Sequence, residues 1–286
     1  MSRPVRTQRV VALVTLAGSG VLVAGLFSAY LLFGSQLALA QAADSFLDVF
    51  TAAVLAYTIA VAAQPEDAEH PLGHSRAEPI GALITAIIAG VLSIEVARSA
   101  ITALVGGEVA RLDAVLLVAF GAKVIFKSVI FGVARRAGLG GQNPAMAALA
   151  VDARNDVMLS LVAIIGYFGA RAGLPRLDAW LALPVAVWIG VAGLRLARDN
   201  LRLLMGEAPP IERQRELTRI AGATEGVRAA HPVVAHHLGT VLDVRVKVIV
   251  DAELTVKAAH DIGKAVRDRI LQEPDVGHCS VHVDVE

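Results

Sequence analysis

The first two thirds of the chain consists of long apolar blocks, and the last third alternates on a much shorter scale. Six blocks, roughly 10–34, 37–63, 80–105, 113–134, 144–170 and 178–199, each supply the ~20 residues needed to cross a hydrocarbon core. The turns between them carry Gly, Pro or charge, as in "VGGEVARLD", "RRAGLGGQNP" and "RAGLPRLD". Past "NLRLLMGEAPP" the pattern changes. "IERQRELTRIAGA" reads as an amphipathic helix, and "VLDVRVKVIVD" alternates with period two, as a half-buried strand does. "TVKAAHDIGKAVRDRILQ" returns to helical spacing and "CSVHVDVE" alternates again, while the polar stretch "VVAHHLGT" leads into the middle strand. The pattern predicts a membrane α-helical domain of six transmembrane helices over 1–207 and a small α+β domain over 208–286, divided at the Pro pair. No internal repeat or low-complexity segment shows.

Composition agrees. The 286 residues are 56% hydrophobic and 18% charged, against about 45–50% and about 25% in ordinary soluble domains. Lys and Arg number 26 and so do Asp and Glu, so the total charge gives no sign of a nucleic-acid partner and none is expected. The single cysteine, Cys279, excludes an intrachain disulfide framework and Cys-rich zinc modules. Any metal must therefore be held by Asp, Glu and His. With a cytoplasmic N-terminus the inner side carries Arg3, Arg6, Arg9, Arg76, Arg135, Arg136, Arg195, Arg198 and Arg202, and the outer side only Arg111, Arg171 and Arg176. That bias predicts both termini inside. "ALA" at 38–40 has the form of a signal-peptidase site, but the apolar block before it is far longer than the usual ~7–15 residues, so it is read as a span.

The chemistry lies in the interruptions. "AADSFLDVF" puts Asp44 and Asp48 one helical turn apart in the second block, and "VDARNDVMLS" puts Asp152 and Asp156 at the same spacing in the fifth. An ionisable group inside a span costs ~3 kcal/mol or more, so it marks a functional site by default. Side chains at i and i+4 share a helical face. Two such pairs can converge as four hard oxygen ligands, and a divalent cation between them would resolve their mutual repulsion. The bland alternative is that they cap helix ends or face a wet vestibule. In the loop after the second block, "EDAEHPLGHSRAE" spaces Asp67, His70 and His74 around Pro71 and Gly73. Two imidazoles and a carboxylate suit zinc or a similar metal, although His and Asp are also ordinary in a solvated loop. Six of the eight His fall in the tail: His231, His236, His237, His260, His278 and His282. In the last strand, alternation puts His278, Ser280, His282, Asp284 and Glu286 on one face. Such a face either chelates or is simply the solvent side of a sheet.

Other charges lie in the blocks. Glu95 and Arg98 sit at i, i+3 and can neutralise each other. Lys123 and Lys127 share a face of the fourth block. They either pair with carboxylates on a neighbour or mark an aqueous path. Arg154 projects to a different face from the aspartates beside it, and Trp180 suits an interfacial anchor.

Three segments, "ADSFLDV", "HPLGHSRAEPIGALI" and "VDARNDVMLS", together with the six spans and the small C-terminal domain, resemble the cation diffusion facilitator family of divalent-metal/proton antiporters. The resemblance covers essentially the whole chain. It implies a homodimer whose cytoplasmic domain has a ferredoxin-like or metallochaperone-like fold; the expected location is the cell inner membrane. It also implies that Asp44, Asp48, Asp152 and Asp156 form the transport site and that Asp67, His70 and His74 form a loop site. His231, His260, His282 and Asp284 match tail positions where zinc-transporting members place ligands. Lys247 stands where such members often have a bridging His, a departure from a full tail site. Zinc and iron members commonly begin the fifth-span motif with His, whereas this chain has Asp152, as the manganese-type branch does.

These readings converge on a secondary transporter and not an enzyme. It takes no cofactor beyond its cargo, Mn2+ or Zn2+, with room for structural or regulatory Zn2+ in the loop and tail. The expectation is export of a divalent metal, Mn2+ favoured, across the lipid bilayer in exchange for protons. Metal and protons compete for the same oxygens, which couples their movements. A Zn2+/Fe2+ exporter of the same family is the alternative. A membrane-anchored metal sensor is a different class, in which tail ligands matter and the membrane aspartates do not. An intramembrane aspartyl protease fits poorly, because paired-Asp catalysis needs one close dyad, not two pairs on separate helices.

Overall fold

The computed structural model describes residues 3–107, 109–111, 113–138 and 144–285. Glu286, the centre of the "RRAGLGGQNP" turn and the side chains of Arg3, Arg6 and Arg9 lie outside the described residues. The apolar blocks form six long helices: α1 (Arg3–Phe33), α2 (Gln36–Ala62), α3 (Ala77–Gly106), α4 (Ala114–Gly138), α5 (Pro144–Arg171) and α6 (Leu177–Leu204). Among the described residues, α1–α4 and α6 are long and apolar enough to cross a membrane. The sixth, α5, carries Asp152, Arg154, Asn155 and Asp156 in its first half, which lowers its apolarity.

The chain divides into two compact units. The first takes in residues up to Val54 and Thr85–Arg195. Its core is rich in alanine, with Ala38, Ala40, Ala163, Ala182 and Ala186 packed around Leu26, Leu37, Leu116 and Phe120. Small residues let helix backbones approach closely where the surroundings offer no hydrophobic drive. On α6 a Cβ at Gly193 would lie 2.9 Å from Ala89 Cβ and 3.2 Å from the Ala86 carbonyl, both on α3. Ser93 Oγ donates to the Ala186 carbonyl at 2.8 Å along the same seam.

The start of α2 is fixed from another helix. Asp178, buried in the first turn of α6, accepts from Ser35 Oγ at 2.7 Å, Gln36 N at 2.5 Å and Leu37 N at 3.4 Å. A helix N-terminus leaves its first N–H groups unpaired and carries partial positive charge, so a carboxylate there satisfies both. This cap sets where α2 begins, and therefore the level at which its aspartates lie.

The second unit takes in Leu55–Ile84 and Leu196–Glu286. Its C-terminal part is α+β: α7 (Ile211–Gly222), β1 (Ala229–Ala230), β2 (Val234–Leu238), β3 (Val241–Val250), α8 (Val256–Ile270) and β4 (Val276–Val285). Strand β3 is central. It pairs parallel with β4 on one side, and antiparallel with both β2 and the two-residue β1 along the other. The predicted alternation holds: Leu242, Val244, Val246, Val248 and Val250 are buried, and the first four pack in one core with Leu217 and Ala221 of α7 and Val266 and Ile270 of α8. Thr255 caps α8, accepting from Ala258 N at 3.2 Å. Arg213 of α7 ties down the approach to β4, donating to both Asp275 carboxylate oxygens and to Glu273 Oε2 at 2.8 Å.

Candidate functional site

Four carboxylates and two lysines meet inside the first unit. Asp48 of α2 and Asp152 and Asp156 of α5 each offer an oxygen within 4.8 Å of the others. Helical spacing brings this about, because 44 and 48, like 152 and 156, fall on one face of their helix. From α4, at the same spacing, come Lys123 and Lys127, both essentially fully buried. Lys127 Nζ lies 2.5 Å from Asp48 Oδ2 and 2.5 Å from Asp156 Oδ2, bridging α2 and α5. Lys123 Nζ donates to Asp44 Oδ2 at 2.8 Å and to the Gln41 carbonyl at 3.3 Å. Of the two readings open for the lysines in the sequence, pairing with a neighbour's carboxylates is the one observed. Breaking a buried pair by removing one partner typically costs about 3–5 kcal/mol, so each lysine is bound into the site.

The carboxylates are not equivalent. Asp156 is 3% exposed, Asp44 and Asp48 are half-buried, and Asp152 stands exposed at the rim. Asp156 Oδ2 makes no directed hydrogen bond despite its closeness to the Lys127 ammonium. It is a buried acceptor set directly against a buried ammonium. Such an array of oxygens, graded from rim to interior, suits a hard divalent cation. Two further polar residues share these faces and escaped the sequence reading. Ser160 Oγ lies 3.1 Å from Gln41 Oε1 and 2.8 Å from the Asp156 carbonyl, linking α5 to α2. Their signal was available, since Gln41 and Ser160 continue the helical spacing of the aspartates, but neutral side chains do not stand out in a span. Glu95 and Arg98 pair with each other in two contacts of 2.9 and 2.5 Å, at an exposed position on α3.

In the second unit, Asp67, His70 and His74 also lie within ligand reach of one another. Asp67 Oδ1 accepts from Glu69 N at 2.9 Å and His70 N at 2.6 Å, folding the loop back on itself. The His70 backbone N–H holds the Asp67 carboxyl below the usual carboxylate range. His70 Nδ1 is 3.2 Å from Asp67 Oδ1, and His74 Nε2 is 3.4 Å from Asp67 Oδ2. Gly73, at φ +74°, permits the bend between the two imidazoles. The loop rests on the β2–β3 turn. Ser75 Oγ donates to the Leu238 carbonyl at 2.6 Å, and a Cβ at Gly239 would lie 2.3 Å from the Ser75 carbonyl oxygen.

The tail residues are distributed differently. Among the described residues, His231, His260, His282 and Asp284 do not form a metal-capable group of three or more within one chain. His231, on the segment after β1, and His260, on α8, are both exposed. Asp284 pairs with Lys247 on the neighbouring strand at 2.7 Å, and that hydrogen bond holds its carboxyl low. Lys247 also lies opposite His282 in the β3–β4 register. Burial pushes the Cys279 thiol up to about 11.

Comparison with known proteins bears on both units. The family model described as the cation efflux transmembrane domain matches residues 12–205, and that of the cation efflux protein cytoplasmic domain matches 209–286. Among curated relatives, "Metal tolerance protein C1" of Arabidopsis thaliana is 30% identical over 284 residues, covering 94% of this chain and 60% of that protein. "Manganese efflux system protein MneP" of Bacillus subtilis is 28% identical, covering 96% of this chain and 95% of that protein. "Cation-efflux pump FieF" of Cronobacter sakazakii is 25% identical, covering 88% and 84%.

Proposed function

Because the chain belongs to the cation efflux family, the cation diffusion facilitators that its motifs resemble, we propose that it carries divalent metal ions, Mn2+ foremost, out of the cytoplasm in exchange for protons. The observation that carries this reading is the gathering of Asp48, Asp152 and Asp156 around a point already held by a cation, with Asp44 beside it on Lys123. In this reading the metal enters at exposed Asp152, passes to Asp48 and buried Asp156, and leaves after the helices rock to face outward. Protons compete for the same oxygens, so metal departure and proton entry are coupled. The helical domain, 1–207, lies in the cell inner membrane with both termini cytoplasmic, and 208–286 forms the cytoplasmic domain through which two copies pair.

Mn2+ is favoured because all four candidate ligands are hard carboxylates, and replacing an imidazole by Asp152 shifts preference toward harder ions. That two relatives, MneP and MneS of Bacillus subtilis, are named for manganese efflux points the same way. A second reading, Zn2+ or Fe2+ export, draws on the Asp67, His70 and His74 cluster, whose nitrogen donors suit zinc in a structural or regulatory role.

The test is metal flux into proteoliposomes across a fixed pH gradient, with Mn2+, Zn2+, Fe2+, Co2+ and Cd2+ offered separately. Strong Mn2+ flux that collapses when an ionophore abolishes the gradient is expected. Dominant Zn2+ flux would overturn the Mn2+ assignment. No flux from folded protein would bring forward a membrane-anchored sensor.

A further inference from the structure

Lys127 occupies the position that a metal bridging α2 and α5 would take. Its ammonium lies 2.5 Å from an oxygen of Asp48 and 2.5 Å from one of Asp156, two of the three carboxylates that converge. The side chain is 1% exposed. Asp156 is the more buried of its partners, with a side chain 4% exposed against 20% for Asp48. We propose that Lys127 and the divalent ion compete for the cage: its ammonium holds Asp48 and Asp156 together, and the divalent ion binds by displacing it. This rests on the reading of the aspartates as the transport site.

The charge count fits one divalent ion. Asp44, Asp48, Asp152 and Asp156 carry a formal charge of −4 and the two lysines +2, leaving −2 for one M2+ to cancel. A loaded site without formal charge is the form that costs least in a low-dielectric span. A tethered competitor also acts at high effective concentration, since it never diffuses away. It therefore weakens metal binding and hastens metal release. A carrier needs both, because a cargo held too tightly is not let go. Lys123 neutralises Asp44 in the same way, but it touches none of the three converging carboxylates at ion-pair distance and leaves the bridging point clear.

The experiment compares full-length protein in nanodiscs, wild type against Lys127→Met and Lys127→Gln. It reads Mn2+ affinity by calorimetry and Mn2+ release by stopped-flow chelation. Removing the competing charge is expected to tighten Mn2+ binding by about tenfold or more. Release should slow by a similar factor, and transport turnover should fall although affinity rises. A purely structural tie would give the opposite, since loosening the cage weakens binding. Wild-type or weaker affinity in both folded variants overturns the proposal. Failure of both to fold overturns it as well, because Lys127 is then a structural strut and not an exchangeable cation. Asp152→Ala, run alongside, separates the levels. If it binds Mn2+ as the wild type does, the site reading fails. If it loses Mn2+ while the Lys127 variants bind no tighter, only the competition proposal fails.

Discussion

Asp156 and Asp67 are both carboxylates with metal-capable neighbours, but one side chain is 4% exposed and the other 50%. Their surroundings differ accordingly. Asp156 sits among other carboxylates and is balanced by a buried lysine from a third helix. Asp67 is steadied by two backbone N–H groups of its own loop and faces two imidazoles. Water reaches Asp67 and His70, while His74 is 10% exposed and its loop is held by local turns and by the Ser75 contact to the Leu238 carbonyl. The buried cluster needs an internal counter-charge from another helix, because an unpaired charge there is expensive. A cage that must be neutralised to exist responds steeply to which cation occupies it. In the proposed reading the buried cluster moves an ion and the loop cluster holds or senses one.

The sharpest way to break this contrast is to remove the buried ligand. Asp156→Ala should lower Mn2+ flux in proteoliposomes by more than ~100-fold, beyond the 10–100-fold that even outer-shell partners of a metal cost. Retained flux would place the transported ion elsewhere. Next in size is a change of ligand type. Asp152→His should raise the Zn2+ to Mn2+ flux ratio by roughly tenfold, about 1.4 kcal/mol, as imidazole replaces a hard oxygen. An unchanged ratio would mean that this position does not select the metal. The exposed cluster should matter less: His74→Ala should keep Mn2+ flux within about threefold, under ~1 kcal/mol of barrier. It should also lower the Zn2+ content of purified protein measured by mass spectrometry. A collapse of Mn2+ flux would erase the distinction between the two clusters.

The smallest effect is expected where charges are paired but partly solvated. Arg213→Ala removes the contacts to Asp275 and Glu273 and should destabilise the tail by about 1 kcal/mol, read by thermal unfolding of the full chain. The Arg213 hydrogen bond holds the Asp275 carboxyl below its ordinary value. A depressed carboxylate adds stability above its unfolded pKa of about 4 and loses it as pH falls through the folded value. The difference between wild type and variant should therefore be full at neutral pH and fade below pH ~4. A constant difference would assign the effect to lost packing by the arginine stem.

The sequence by itself determined the parts of this protein that depend on local periodicity. Six apolar blocks became six helices because each is longer than a hydrocarbon core and is bounded by Gly, Pro or charge. The alternation of "VLDVRVKVIV" became a half-buried strand because side chains on a strand point to opposite faces every second residue. Helical spacing of i and i+4 put Asp44 with Asp48 and Asp152 with Asp156 on common faces. Only the tertiary structure decided which faces meet. Lys123 and Lys127 were legible as a pair on one helix, but their partners lie 79 residues away for Asp44 and Asp48. Asp178, read only as one end of a turn, proved to cap α2 from a distance of more than 140 residues. The four tail residues did not gather within one chain, because a sheet register and an exposed helix hold them apart. Periodicity is a property of a few successive residues and can be read along the chain. The choice of partner is made by the packing of whole helices, and it becomes visible only when their buried charges are seen together.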